Sequence, residues 1–182
     1  RMYVQLPPRS YSVWVECSVP QAPVGQNKTA CLGATIPALT VTGLPGYTYR
    51  WYGAATGENS LITETGNAYT PPTPATPGTY TYWVEAVNAQ GCYSLTRTAV
   101  TLTVHPVPDV SANNVVNVNC VGANNGQVTL LTTGGTPSFS YQWSDGLNTT
   151  NATRSSMSPG NYTVTVTDAN SCTDSAPVTI TQ

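Results

Sequence analysis

The sequence predicts an all-β chain built of tandem immunoglobulin-like antiparallel β-sandwich modules. Three observations carry that expectation. Apolar and polar residues alternate with period two in several segments, turn-forming Pro-Gly and Asn- or Asp-rich stretches separate them, and one ordered set of motifs occurs twice.

The alternating strand is the clearest element. It reads Tyr11-Ser-Val-Trp-Val-Glu16, then Pro77-Gly-Thr-Tyr80-Thr-Tyr-Trp-Val-Glu85, then Pro159-Gly-Asn-Tyr162-Thr-Val-Thr-Val-Thr167. Alternation assigns Tyr80, Tyr82 and Val84 to a core, with Tyr162, Val164 and Val166 in the equivalent places, and turns Thr163, Thr165 and Thr167 to water. An aromatic strand precedes each of the last two, Tyr47-Thr-Tyr-Arg-Trp51 and Phe139-Ser-Tyr-Gln-Trp143. Trp51 and Trp143 share the inward face with Tyr49 and Tyr141 and are expected in the cores. Cys31-Leu-Gly33 and Cys120-Val-Gly122 open the two units. Asn88-Ala-Gln-Gly-Cys92 and Asp168-Ala-Asn-Ser-Cys172 close them with hairpin-turn chemistry. A last alternating strand follows each closure, Thr98 to Val104 and Pro177 to Ile180.

This order divides the chain into a module over residues 20–105 and a second over 106–182, joined at His105-Pro-Val-Pro108, a stiff connector biased towards polyproline II. Residues 1–19 carry only the Tyr-strand half of a module and read as the C-terminal part of a preceding repeat. Cys17 is then the odd cysteine, aligned with Ala86, and its partner is expected in upstream sequence.

Composition narrows the function. Only 8% of the 182 residues are charged and the net charge is −2, so no basic patch exists to neutralise phosphates; nucleic acid is not an expected partner. With 11 Tyr and 4 Trp the chain has the apolar mass to fold. No apolar run reaches the ~20 residues that span a bilayer, so this segment is not expected to insert, and any export signal or anchor is expected outside it. Five Cys beside one His, without paired C-x-x-C or H-x-x-x-H spacing, fit an oxidising extracellular setting better than a zinc site.

Gly134-Gly-Thr-Pro-Ser-Phe-Ser-Tyr141-Gln-Trp-Ser-Asp-Gly146, together with Ser158-Pro-Gly-Asn-Tyr-Thr-Val-Thr-Val-Thr-Asp-Ala-Asn-Ser-Cys172, closely resembles the SprB repeat of giant gliding adhesins on the cell surface of Bacteroidetes. The first module, with Tyr49-Arg-Trp-Tyr-Gly-Ala-Ala-Thr-Gly57, Tyr69-Thr-Pro-Pro72 and Tyr80-Thr-Tyr-Trp-Val-Glu-Ala86, is similar to immunoglobulin-like repeats of exported proteins in that phylum. The resemblance implies β-sandwich repeats, secretion through the type IX system, a role in gliding or surface attachment, and no catalytic residues. The partners it implies are neighbouring repeats, surface polysaccharide, other cell-surface proteins and the export and motility machinery. The runner-up functions are a carbohydrate- or protein-binding module and an accessory stalk on a secreted enzyme.

Both cysteines of each module fall near strand ends, so Cys31 is expected to pair with Cys92, and Cys120 with Cys172, as clamps at one pole; free buried thiols are the alternative. Tyr80 and Tyr162, just after a Pro-Gly turn, suit a tyrosine corner. Strict alternation puts Trp83 on the outer face, and Trp14 in the partial repeat. Either these tryptophans form a platform for a sugar or partner, or Trp83 pairs with outward-facing Arg50 through a cation–π contact. His105, the sole histidine, lies in the Pro-bracketed connector where no triad has a scaffold, and the eight carboxylates are dispersed, so no enzyme is expected. Asp168, Asn170 and Asp174 offer oxygen ligands at alternate positions that could hold Ca²⁺, although turn formation explains them too; no other cofactor is expected. Asp174-Ser-Ala176 resembles the O-glycosylation pattern of Bacteroidetes, which implies a glycan on Ser175.

Overall fold

A computed structural model describes residues 2–5, 14–57 and 61–182. Among these every regular element is a β-strand, and no helix is long and apolar enough to cross a membrane. The chain forms two compact units, Arg1–Pro74 with Gly78–Val104, and Ala75–Pro77 with His105–Gln182.

The first unit begins with a hairpin, β1 (Met2–Gln5) against β2 (Trp14–Cys17), antiparallel with Met2 opposite Cys17. Residues 11–13 of the expected Tyr11–Glu16 strand lie outside the described residues. The sandwich itself uses β3 (Gly25–Gln26), β4 (Lys28–Cys31), β5 (Leu39–Val41), β6 (Tyr47–Tyr52), β7 (Leu61–Thr65), β8 (Ala68–Tyr69), β9 (Gly78–Asn88) and β10 (Thr98–His105). One sheet runs β4-β10-β9-β6-β7 and the other β3-β5-β8. The period-two pattern decides what lies between them. Trp51, Leu39, Val84, Val100 and Leu102 are fully buried, with Tyr49, Tyr69 and Ala86 around them and Tyr80 and Tyr82 packed on the cluster. The Trp51 and Tyr69 ring centroids are 5.6 Å apart, and the indole nitrogen donates to the Gly66 carbonyl at 3.0 Å, so the largest core side chain keeps no orphan donor.

The second unit uses β11 (Pro108–Val116), β12 (Gly126–Gly134), β13 (Ser140–Trp143), β14 (Asn148–Thr149), β15 (Thr153–Met157), β16 (Gly160–Thr167) and β17 (Thr173–Ile180), in sheets β11-β12-β15 and β14-β13-β16-β17. Counted back from Asn88 and Asp168 the two modules share one register, whereas counted from Tyr80 and Tyr162 the pairing is displaced by two residues. Trp51 stands opposite Val84 and Tyr49 opposite Ala86; Trp143 stands opposite Val164 and Tyr141 opposite Val166. Thr163 is exposed and Thr165 and Thr167 half-buried on the outer side, as alternation requires. The Tyr162 hydroxyl donates to the Ser158 carbonyl at 3.0 Å, which makes the expected tyrosine corner. Outward polar side chains on paired strands bond one another: the Thr165 and Ser175 hydroxyls at 2.8 Å, and the Thr179 hydroxyl donating to Asn161 Oδ1 at 2.9 Å.

The two closing loops share one five-residue geometry. The amide of Asn88 donates to the carbonyl of Cys92 and that of Asp168 to the carbonyl of Cys172, both at 3.0 Å. In each, the first residue's Oδ1 accepts from amides two and four residues on: Gln90 and Cys92 in one loop, Asn170 and Cys172 in the other. The fourth residue must take a positive φ, +80° at Gly91 and +66° at Ser171. A serine there bears a strain that glycine would not, so Ser171→Gly is expected to stabilise the second unit by about 0.5–1 kcal/mol, read as a higher urea midpoint at unchanged slope.

Cysteine pairing departs from the expectation. Cys92 is bonded to Cys17, over a sequence separation of 75 with Cα atoms 6.0 Å apart, so it does not clamp Cys31 and Cys17 needs no upstream partner. The reason lies in the loop: the Asn88 Nδ2 donates to the Ser18 carbonyl at 2.8 Å, which lays the end of β2 beside Cys92. Cys120 is an exposed free thiol, in a turn shaped by Gly122 at φ +79° and closed by the Ala123 amide on the Cys120 carbonyl. Cys172 is buried at 1% exposure and is itself in a disulfide, whereas Cys120 is not, so the expected Cys120–Cys172 clamp does not form.

Candidate interaction surface on the first module

The outer face of the five-stranded sheet is set by the same alternation that fills the core. Arg50 and Tyr52 point outward from β6 and Trp83 and Glu85 from β9, and the register puts Arg50 opposite Glu85 and Tyr52 opposite Trp83. On the far side of β9, Ala99 of β10 stands opposite Trp83. Trp83 is half-buried here.

The 92–97 loop folds back along β9 and changes the partners expected on this face. Ser94 donates its amide to the Ala86 carbonyl at 2.9 Å while its hydroxyl accepts from the Ala86 amide, and Tyr93 bridges to Val87. Arg50 therefore does not cover Trp83. Its Nη1 donates to the Tyr93 hydroxyl at 2.9 Å, and its guanidinium lies 5.1 Å from that ring's centroid, because Tyr93 is delivered over the row that Arg50 occupies. The cation that does cross the face is Arg97. It sits 3.3 Å from the Tyr52 centroid, bonds Glu85 Oε2 at 3.5 Å, and donates to the Ala54 and Gly57 carbonyls at 3.0 and 3.1 Å. The Tyr52 hydroxyl donates to Glu85 Oε1.

Glu85 and Arg97 are each only 11% exposed at the side chain, so the pair is desolvated and neither charge is free for long-range attraction. Burial first, and then the hydrogen bond to Glu85, push the Tyr52 phenol above its ordinary value of 10.0. A raised phenol stabilises the fold below pH 10.0 and loses that contribution as pH rises through the folded value. Arg97→Ala would leave the Glu85 carboxylate enclosed without its cation. The expected cost is about 2–3 kcal/mol, with a Glu85→Gln/Arg97→Ala double variant losing less than the sum of the single ones in urea titrations.

A shallow depression of ≈360 Å³ beside this network is lined by Glu85, Ser94, Thr96, Arg97 and the largely exposed Leu95, among others. The face thus offers an aromatic edge next to a fixed, internally neutral polar cluster. That suits stacking and hydrogen bonding of an uncharged polar ligand. Of the tryptophans expected to form a platform, Trp83 is here; Trp14 is placed in β2 opposite Gln5, and its side chain lies outside the described residues. Alternation located Trp83, Glu85 and Arg50 on one face, whereas Arg97 and Tyr93 come from a loop whose return path leaves no periodic signal.

The residues considered for calcium have other work. Asp168 Oδ1 accepts from the Asn170 and Cys172 amides and Oδ2 from the Thr136 amide at 2.8 Å, whereas Asp174 Oδ2 accepts from the Val110 amide at 2.9 Å. Asn170 turns its Nδ2 to the Thr136 hydroxyl. Asp168 and Asn170 thus both bond Thr136, whereas Asp174 bonds Val110; among the described residues no group of three His, Cys, Asp or Glu gathers as a metal site. Ser175 is exposed on β17.

Residues 20–106 match the family described as Ig-like domain CHU_C associated, and residues 112–148 match the SprB repeat. No curated protein matches the chain significantly. Among solved structures the chain is similar to the C-terminal 282-residue fragment of intimin, crystallised with the intimin-binding domain of its translocated receptor. The identity is 14% and the TM-score 0.56, over 91% of this chain and 65% of that one. It is also similar to the N-terminal eight immunoglobulin domains of Down syndrome cell adhesion molecule, at 13% identity and TM-score 0.52, over 88% of this chain and 27% of the other. The chain spans less than two thirds of either. At such identities the likeness is one of fold.

Proposed function

Since the chain joins a CHU_C-associated immunoglobulin-like repeat to a SprB repeat, and so is a repeat segment of a surface protein, we propose that it serves as a structural and adhesive element of a large, exported, type IX-secreted protein used in attachment or gliding. The observation that carries this reading is the repeated construction. Two sandwiches with the same closing loop, and the same strand register counted from it, follow one another, each with its own aromatic core. Units that each complete their own core add length without depending on a neighbour for stability. The matched families and the similar structures are of non-catalytic kinds, which supports a role in reach and contact over one in chemistry. The test is deletion of residues 20–182 from the parent in the producing cell, with display scored by antibody labelling of intact cells. Retained display with weakened attachment or spreading supports the reading. Retained display with unchanged attachment and spreading overturns it.

A second reading, a carbohydrate-binding face on the first module, is favoured by Trp83 beside the Tyr52–Glu85–Arg97 cluster and its depression. Trp83→Ala would then abolish signals on a glycan array at unchanged thermal stability, and an array blank for the unaltered chain would end it. An accessory stalk on a secreted enzyme remains the third use of such repeats. Ser175 is our proposed O-glycan acceptor, checked by the mass of the peptide from producing cells.

A further inference from the structure

We infer that the Asn125-Gly126 step is a site of spontaneous deamidation, restrained by Asn119, and that its conversion limits the chemical lifetime of the second module. It is the only Asn-Gly step in the chain. Glycine has no Cβ to keep the preceding side chain off its backbone nitrogen, so the Gly126 nitrogen can attack the Asn125 Cγ. That bond closes a cyclic succinimide and releases the side-chain nitrogen as ammonia. Water then opens the ring at either carbonyl. One product is aspartate; the other is isoaspartate, whose main chain runs through the former side-chain methylene. The fold itself demands the labile step. Gly126 is buried, and a Cβ there would lie 2.8 Å from the Met157 carbonyl oxygen and 2.8 Å from Ile180 Cγ2, so no larger residue fits.

Asn125 is exposed, but its carboxamide is held. Its Oδ1 accepts from the Asn119 amide at 3.3 Å and its Nδ2 donates to Asn119 Oδ1 at 2.6 Å, a clasp across the loop that carries Cys120 and Gly122. Swinging Cγ onto the Gly126 nitrogen breaks both bonds, so the folded chain reacts more slowly than an unfolded one. The ends of the loop are fixed as well. The Val118 amide donates to the Thr181 carbonyl at 2.9 Å, Asn117 Oδ1 accepts from the Thr181 amide at 2.9 Å, and Gly126 is wedged against Met157 and Ile180. Either product therefore harms the fold. Aspartate puts a carboxylate oxygen where Nδ2 faced Asn119 Oδ1, acceptor against acceptor, and the clasp opens. Isoaspartate lengthens the main chain immediately before a glycine that has no room to shift.

The test is peptide mapping of the whole chain after incubation in warm, mildly alkaline buffer, with a parallel sample unfolded in guanidinium chloride. In the unfolded sample Asn125 is expected to convert before any other asparagine, and in the folded wild type more slowly than there. Asn119→Ala removes the Nδ2 contact but leaves the backbone donor. It is expected to speed conversion of the folded chain about 2–10-fold, the worth of one ordinary hydrogen bond. Asn119→Asp keeps an acceptor at that position and is expected to stay as slow as the wild type, a difference that general loosening of the loop would not produce. The converted protein, and an Asn125→Asp variant, are expected to unfold the second module at lower urea with the first module's transition unmoved. Equal rates for folded and unfolded wild type overturn the restraint, a comparison that stands even if Asn119→Ala fails to fold. Equal rates for folded Asn119→Ala and wild type overturn the role of Asn119. Earlier conversion of another asparagine in the unfolded chain, or an unchanged second transition in the converted protein, overturns the site.

Discussion

Replacing Asp168 by alanine is expected to destabilise the second module by about 3–5 kcal/mol. The carboxylate is 6% exposed and accepts from three backbone amides, those of Thr136, Asn170 and Cys172. Its removal strands donors in a place that water reaches poorly, and each bond to a charged acceptor is worth about 1.5–3 kcal/mol before relaxation. In a sandwich of this size that is a fall in Tm of roughly 15–30 °C, visible as early loss of tertiary fluorescence. The pH dependence gives an independent check. Burial alone would raise the Asp168 carboxyl, but the amides of Thr136, Cys172 and Asn170 outweigh it and hold the group below its ordinary 3.8. A depressed carboxyl stabilises the fold above 3.8 and loses that contribution as pH falls through the folded value. The gap between wild type and Asp168→Ala should therefore narrow under acid.

Removing the Cys17–Cys92 bond is expected to cost the first module about 4 kcal/mol. A covalent loop of 75 residues limits the unfolded chain by roughly that much in the chain-entropy account. The Cys17→Ser/Cys92→Ser variant should unfold at lower urea in its first transition. The second module's transition reports on a separate core and should keep its midpoint.

The core was legible because each aromatic strand buries every other residue, and both Trp51 and Trp143 sit where the alternation puts them. The tyrosine corner at Tyr162 and the Asx loops were legible for a similar reason: the residues that build them are within five positions of one another. Disulfide pairing was not. It turns on one long-range hydrogen bond, Asn88 to Ser18, which no local pattern encodes. The outer face fell between these cases. Alternation placed Arg50 outside correctly, but its partner is chosen by a loop that brings Tyr93 over one residue row and Arg97 over the next.

The first residues of the two closing loops also differ by a single atom with a clear purpose. Oδ1 closes the loop in both; the second polar atom is a donor in Asn88, which meets the Ser18 carbonyl, and an acceptor in Asp168, which meets the Thr136 amide. Swapping amide for carboxylate redirects the same loop to a different neighbour without rebuilding it.

The neutral hydroxyl contacts along the outer strands, Thr79 with Thr103, Thr165 with Ser175 and the Thr179 hydroxyl with the Asn161 amide oxygen, have an environmental consequence. Attraction between fixed charges weakens as dissolved ions gather, over a Debye length of about 30 Å in dilute water but only about 3 Å at 1 M salt. Neutral hydroxyl contacts have no such length scale. A surface that meets the world through threonine keeps nearly the same grip in fresh water as in brine.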